Sequence, residues 1–300
     1  RFVFASLKGG VGRSTALAVV ATHLALQGKK VLALDLDLEA PGLGHLLLDP
    51  SAMPEFGAVD FYVEGGLTTL GPTFLEDMVA SSHFAQHKGV LDVVPAAGQA
   101  SARHPQNYLA KLARTCLETS CEEGESQSFL VRTQKLIGEL CQLKSYDAVL
   151  VDARAGLNET TAAAILGLGA DVLLFGIDTP QTFATADFLL SHLAGFPRDP
   201  EDDWVLRLRW VHAKASSNAE ARTLFRDRLF DVCRRSIYRS NEVEFSLDDE
   251  ASPHFAWPVL HDAHYLEFDP FSNADQLTQD LFDKSFGPLT QGIEERMDSE

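Results

Sequence analysis

The stretch Phe2-Val3-Phe4-Ala5-Ser6-Leu7-Lys8-Gly9-Gly10-Val11-Gly12-Arg13-Ser14-Thr15 decides how this chain is read. It opens as an apolar run of strand character, breaks into a glycine-rich turn, and continues as a helix through Ala16-Leu17-Ala18-Val19-Val20-Ala21. Strand, loop and helix in that order are the setting in which a loop cradles phosphate. Glycines at 9, 10 and 12 let backbone N–H groups converge on an anion, and the new helix turns its positive end to the same point. A plain glycine-rich β–α turn would need neither the cations Lys8 and Arg13 nor the hydroxyl pair Ser14-Thr15, yet all of them arrive in register.

These residues resemble the deviant Walker A signature, KGGxGK[ST], of the MinD/ParA-type P-loop ATPases of the SIMIBI class. The resemblance implies ATP as ligand, bound by Lys8, Gly9, Gly10, Val11, Gly12, Arg13, Ser14 and Thr15, with Mg2+ as cofactor. Lys8 matches the extra signature lysine, which in the family reaches across a dimer interface to the partner's nucleotide and belongs with the catalytic groups. Arg13 departs from the pattern, standing where the family has its usual P-loop lysine. Arginine stays charged and grips phosphate through a fork, but it is bulkier and differently hydrated. Nucleotide binding with slow, partner-stimulated hydrolysis is therefore the expectation.

Outward from the loop, Val31-Leu32-Ala33-Leu34-Asp35-Leu36-Asp37 reads as a buried parallel strand, apolar until its end. Carboxylates at a strand's C-terminal end face the crevice where doubly wound sheets bind ligands. Leu38 to Gly44 resembles the family's switch I. The resemblance assigns Asp37 to the attacking water, with Asp35 nearer to structure or metal; solvated strand-end acids are the alternative for both. Asp147 to Asp152 is a second such strand, and Asp152 with Gly156 resembles the family's D-x-x-x-G switch II. By that resemblance Ser14, Asp37 and Asp152 hold the magnesium, and the Gly156 N–H faces the γ-phosphate. The turn Trp257-Pro258-Val259-Leu260-His261 resembles the second base-side loop, with backbone groups near Pro258 meeting the nucleotide. The family's base-contacting asparagine has no counterpart at His212-Ala213-Lys214.

Further strands are expected at Gly89–Gly98, Ala170–Asp178 and Trp204–His212, the last carrying Arg207 and Arg209 on one face. Helices are expected near 105–120 and 127–143. Six parallel strands alternating with helices predict an α/β, three-layer P-loop NTPase fold with a mostly parallel sheet. One domain would span 1–300, with a loop-rich insertion at about 46–88 and an acidic helical segment at about 270–300.

A net charge of −18 argues against non-specific coating of DNA, which depends on Lys and Arg neutralising phosphates. The basic charge is concentrated: residues 205–240 hold nine Lys/Arg against three Asp/Glu, and 241–300 hold two against fifteen. The arginines at 222–239 are thus expected to pair with the acidic C-terminal segment in preference to nucleic acid. Cys116, Cys121, Cys141 and Cys233 lack C-x-x-C spacing and read as free thiols of a cytoplasmic protein. No apolar span or basic membrane helix is evident, so no membrane partner is expected. The reading is a nucleotide-controlled switch that dimerises with ATP, works with a protein partner, and regulates a larger bacterial assembly, anti-phage defence being one such setting. The alternative is a non-hydrolysing scaffold whose ATP fixes an interface.

Overall fold

The computed structural model describes residues 1–115, 119–120, 126–158, 165–198, 203–238 and 245–299. Strand β1 (Phe2–Ser6) is buried along its whole length. Its side chains alternate between two cores, with Val3 and Ala5 on one face and Phe2 and Phe4 on the other. That two-sided burial is why the parallel strands read as continuous apolar runs. Fully burying a side chain such as Phe4 contributes about 1.5–3 kcal/mol.

The other strands of its sheet are β2 (Lys30–Asp35), β3 (Ala80–Ser81), β4 (Val90–Val94), β5 (Ala148–Ala155), β6 (Asp171–Gly176), β7 (Leu208–Ala215) and β8 (Trp257–Leu260). They form one sheet in the order β8-β7-β6-β1-β5-β2-β4-β3. All neighbours run parallel except the edge pair β3–β4. Asp35 of β2 lies in register with Asp152 of β5, so the acids at these strand ends meet at one edge of the sheet, beside β1.

One face carries α1 (Arg13–Leu26) and α5 (Gln279–Ser299); the other carries α2 (Phe129–Leu143), α3 (Pro180–Leu193) and α4 (Ala219–Arg235). Helix α1 is apolar nearly all round because α5 covers the side that the sheet leaves open. Phe282, Phe286, Leu289 and Ile293 of α5 supply that cover. Close seating of α5 on β8 depends on Gly292, where a Cβ would come within 2.4 Å of the Trp257 ring.

Three expectations are corrected. Trp204–Arg207 is a helical turn, begun by Asp203 accepting from the Val205 N–H, and the strand starts at Leu208. Trp257–Leu260 is a parallel edge strand instead of a loop. The α4 arginines find acids mostly outside the C-terminal segment. Arg228 pairs with Asp178 at 2.7 Å, Arg234 with Asp231 at 3.6 Å and Arg235 with Asp187 at 4.0 Å. Arg226 pairs with Asp227 at 2.8 Å and reaches Asp248 at 3.2 Å. The reason is topological: α4 packs beside α3, while the acidic α5 lies across the sheet. Arg239, Cys116 and Cys121 lie outside the described residues; Cys141 and Cys233 are free thiols. No helix among the described residues is long and apolar enough to cross a membrane.

Candidate nucleotide site

The loop after β1 is shaped by two glycines in the left-handed region, Gly10 at φ +74° and Gly12 at φ +88°. Gly12 is the N-cap of α1 and offers no side chain to its first turn, which also lacks an acid. The first N–H groups of that helix therefore have no side-chain acceptor of their own, the condition under which a helix start takes an anion. Lys214, at the end of β7, donates its ammonium to the Gly10 carbonyl at 2.7 Å and steadies the loop from the side.

Two clefts meet at this loop. One, of 460 Å³, is lined by Gly9 to Thr15 with Ser6, Asp37, Glu39, Ala40, Arg154 and Ala155. The second, of 250 Å³, shares Gly10, Val11, Gly12 and Thr15 and extends to Phe175, Ala213, Leu260, His261 and Tyr265. A polar groove of 660 Å³ between α1 and α5, beside His23 and Glu294, is larger but touches neither the loop nor the strand-end acids.

The expected site residues divide into those brought together and those turned elsewhere. Lys8 to Thr15 ring the loop, and Lys8 itself is half-buried without an ion pair or side-chain hydrogen bond to the described residues. Ser14, Asp37 and Asp152 do converge, and they converge on Arg13. Its Nε donates to Asp152 Oδ1, its Nη2 to Asp37 Oδ2 at 2.8 Å and to Ser14 Oγ at 3.4 Å, and its Nη1 to Ser6 Oγ at 3.3 Å. Burial pulls the Arg13 pKa down, but Asp152 and Asp37 more than offset that and hold it above its ordinary value. Burial pushes the Asp152 carboxyl up, against the pull of Arg13. As arranged, these three oxygens serve a guanidinium.

Asp35 takes a structural position. It accepts from the N–H groups of Asp37 at 3.0 Å, Gly42 at 3.2 Å and Leu43 at 3.0 Å, and so folds the turn after β2. Burial first, and then the charge of Asp152, push it up to about 7. Gly156 departs from its expected role: its N–H donates to the Ser6 carbonyl at 2.8 Å, leaving no donor for a phosphate. Pro258 also lies elsewhere. It faces a separate cleft with His212 and Arg222, while the next residues of the chain, Val259 to His261, line the loop-side cleft. Pro258 and Val259 point to opposite faces, and the register of β8 on β7 shifts between Pro258 and Leu260.

Sequence reading missed Lys214, Tyr108 and the pair Arg154–Glu39. Tyr108 donates to the Leu38 carbonyl at 2.7 Å and props the turn after Asp37. Arg154 and Glu39 bridge the two strand-end turns beside the larger loop-side cleft. No local pattern marks these residues; only the non-Gly left-handed φ of +51° at Lys214 sets one of them apart in the backbone.

Residues 2–167 match the model of the CobQ/CobB/MinD/ParA nucleotide binding domain. The chain belongs to this family. It is 30% identical over 183 residues to an uncharacterised ATP-binding protein of Methanocaldococcus jannaschii, an alignment covering 61% of this chain and 54% of the relative. The chain thus spans about half the length of that curated relative. Among solved structures, pNOB8 ParA bound to nonspecific DNA superposes with a TM-score of 0.60 over 100% of this chain and 99% of that one, at 15% identity. The MinD cell division protein of Aquifex aeolicus superposes with a TM-score of 0.56 over 98% and 97% of the chains, also at 15% identity. At such identities the likeness is one of fold, the three-layer MinD/ParA α/β architecture with its mostly parallel sheet. Residues 2–167 are therefore a domain of the CobQ/CobB/MinD/ParA nucleotide binding family.

Proposed function

We propose that this chain is an ATP-binding switch that pairs into a homodimer when ATP is bound and regulates a larger cytoplasmic assembly through a protein partner. In this reading residues 1–300 act as one nucleotide-binding domain, with 46–88 as an insertion and 270–300 as a helical cover. The observation that carries it is Lys8. It stands beside an uncapped helix start, yet it has no partner among the described residues of its own chain. A cation on the loop rim is well placed for phosphate presented face to face by a second copy. The loop amides and Lys8 stabilise phosphate charge, and Asp37 is the acid to orient an attacking water. The magnesium that the family resemblance implies finds no ready ligands, because Ser14, Asp37 and Asp152 are turned to Arg13.

Light scattering tests the switch. With Asp37→Ala slowing turnover, ATP should favour the dimer over ADP by at least about tenfold, or 1.4 kcal/mol, and the Lys8→Ala double variant should lose that preference. Monomers in both proteins, or dimers indifferent to nucleotide, would refute it.

One observation favours a second reading, the non-hydrolysing scaffold. The acid assigned to the water is held by Arg13 at 2.8 Å. Phosphate release measured with partner proteins present separates the two. Turnover abolished by Asp37→Ala with ATP binding kept supports the ATPase, since water activation matters in the transition state alone. No turnover in the wild type supports the scaffold.

A further inference from the structure

We propose that the Arg13 guanidinium is the resident cation of the Ser14–Asp37–Asp152 cluster, and that this chain takes a nucleoside triphosphate without needing a divalent ion. The inference rests on the nucleotide reading above and deepens it.

The geometry carries the argument. An arginine has five N–H donors in a rigid fork. Four contacts are made here, to Asp152, Asp37, Ser14 and Ser6, from a side chain that is only 6% exposed. One oxygen of each carboxylate and the Ser14 hydroxyl are acceptors to that one group, which stands between them. Magnesium demands six oxygens in near-octahedral array at about 2.0–2.1 Å. An ion gathered by Ser14, Asp37 and Asp152 would either share them with a guanidinium that cannot shed its proton or displace it by breaking both buried ion pairs. A lysine at this position would be a point charge on a flexible stem, free to swing to the phosphates. Arg13 instead is fixed by its fork between the ends of β2 and β5, whose acids lie in neighbouring registers. With Arg13 turned to the acids, the phosphates are left to the loop amides, the start of α1 and Lys8.

The test has two arms on the full chain. In the first, a fluorescent ATP analogue is titrated in excess Mg2+ and in EDTA. Wild-type affinities should agree within about threefold, whereas Arg13→Lys should bind at least about tenfold tighter with Mg2+. Wild-type binding that is itself at least about tenfold tighter with Mg2+ overturns the proposal. In the second arm, Mn2+ alone is added to nucleotide-free protein and followed by electron paramagnetic resonance. Arg13→Ala should gain a Mn2+ site that wild type lacks, and Arg13→Ala with Asp152→Asn should lose it again. Circular dichroism checks the fold of these variants, with Arg13→Gln replacing Arg13→Ala if that protein does not fold. An analogue that binds in neither buffer refutes the nucleotide reading, and the Mn2+ arm then decides alone. A site gained on removing Arg13 upholds the resident cation, and no gain, or a site already present in wild type, overturns it.

Discussion

Gly12→Val is expected to weaken ATP binding by at least about tenfold, or 1.4 kcal/mol, in a protein that remains folded. The backbone at Gly12 sits at φ +88°, a region that a β-branched residue enters only under strain. Holding such a residue there costs on the order of 1–3 kcal/mol. The loop relieves that strain by turning Gly12 out of the left-handed region, and the amides of Gly10 to Thr15 then no longer converge. Nothing lies within 4 Å of where the new Cβ would stand, so the core is not disturbed and the side chain projects into open space at the loop. Titration of a labelled analogue against Gly12→Val and wild type, with thermal melts of both, checks this. Equal affinity would mean the loop does not bind the nucleotide.

Arg209→Leu should produce the largest loss of stability, about 3 kcal/mol or more in denaturant unfolding, with the effect centred far from the loop. Arg209 is buried in β7 at 4% exposure, and no carboxylate among the described residues forms an ion pair with it. It gathers four carbonyls instead. Nη1 donates to Glu250, Ser252 and Phe255 at 2.9, 2.6 and 3.0 Å, and Nη2 to Ala251 at 2.8 Å. Burial and then the charge of Arg296 pull its pKa down to about 10, so it is still charged at neutral pH. Leucine fills part of the volume and strands those carbonyls, each at about 1–3 kcal/mol before the segment relaxes toward water. The guanidinium also lies 5.1 Å over the Trp257 ring, so β8 should loosen and Trp257 fluorescence should shift before global unfolding. An unfolding free energy within about 0.5 kcal/mol of wild type would show that the segment holds itself.

Gly12 and Arg209 mark where sequence reading was strong and where it stopped. The loop from Ser6 to Thr15 was legible because left-handed glycines, a cation and a helix start have local signatures. The strands at 31–37 and 147–152 were legible because burial on both faces forces continuous apolar runs. Arg209 read only as one of two arginines on one face of a strand, since nothing local reveals four carbonyls from 250–255 folding over it. The strand at Trp257–Leu260 was read as a loop for a similar reason: it is four residues long, contains proline, and exists only because β7 offers an edge. Arg13 is the sharpest case. Its type and place were plain, but its partners lie 24 and 139 residues away, and its direction depends on how β2 and β5 align. A lysine-like role followed from the motif; the contact with both strand-end acids came from the topology.

The arginines of α4 have a consequence for any polyanion that meets that face. Ordinary DNA binding draws much of its free energy from small ions set free into solution, and the salt slope counts the phosphates neutralised. Here Arg226, Arg228, Arg234 and Arg235 already hold carboxylates of their own chain. An arginine that turned to a phosphate would exchange one fixed anion for another and strand an aspartate beside the duplex. The entropy of counterion release would be offset by repulsion from that stranded charge, so DNA would gain little from the helix however basic its sequence reads.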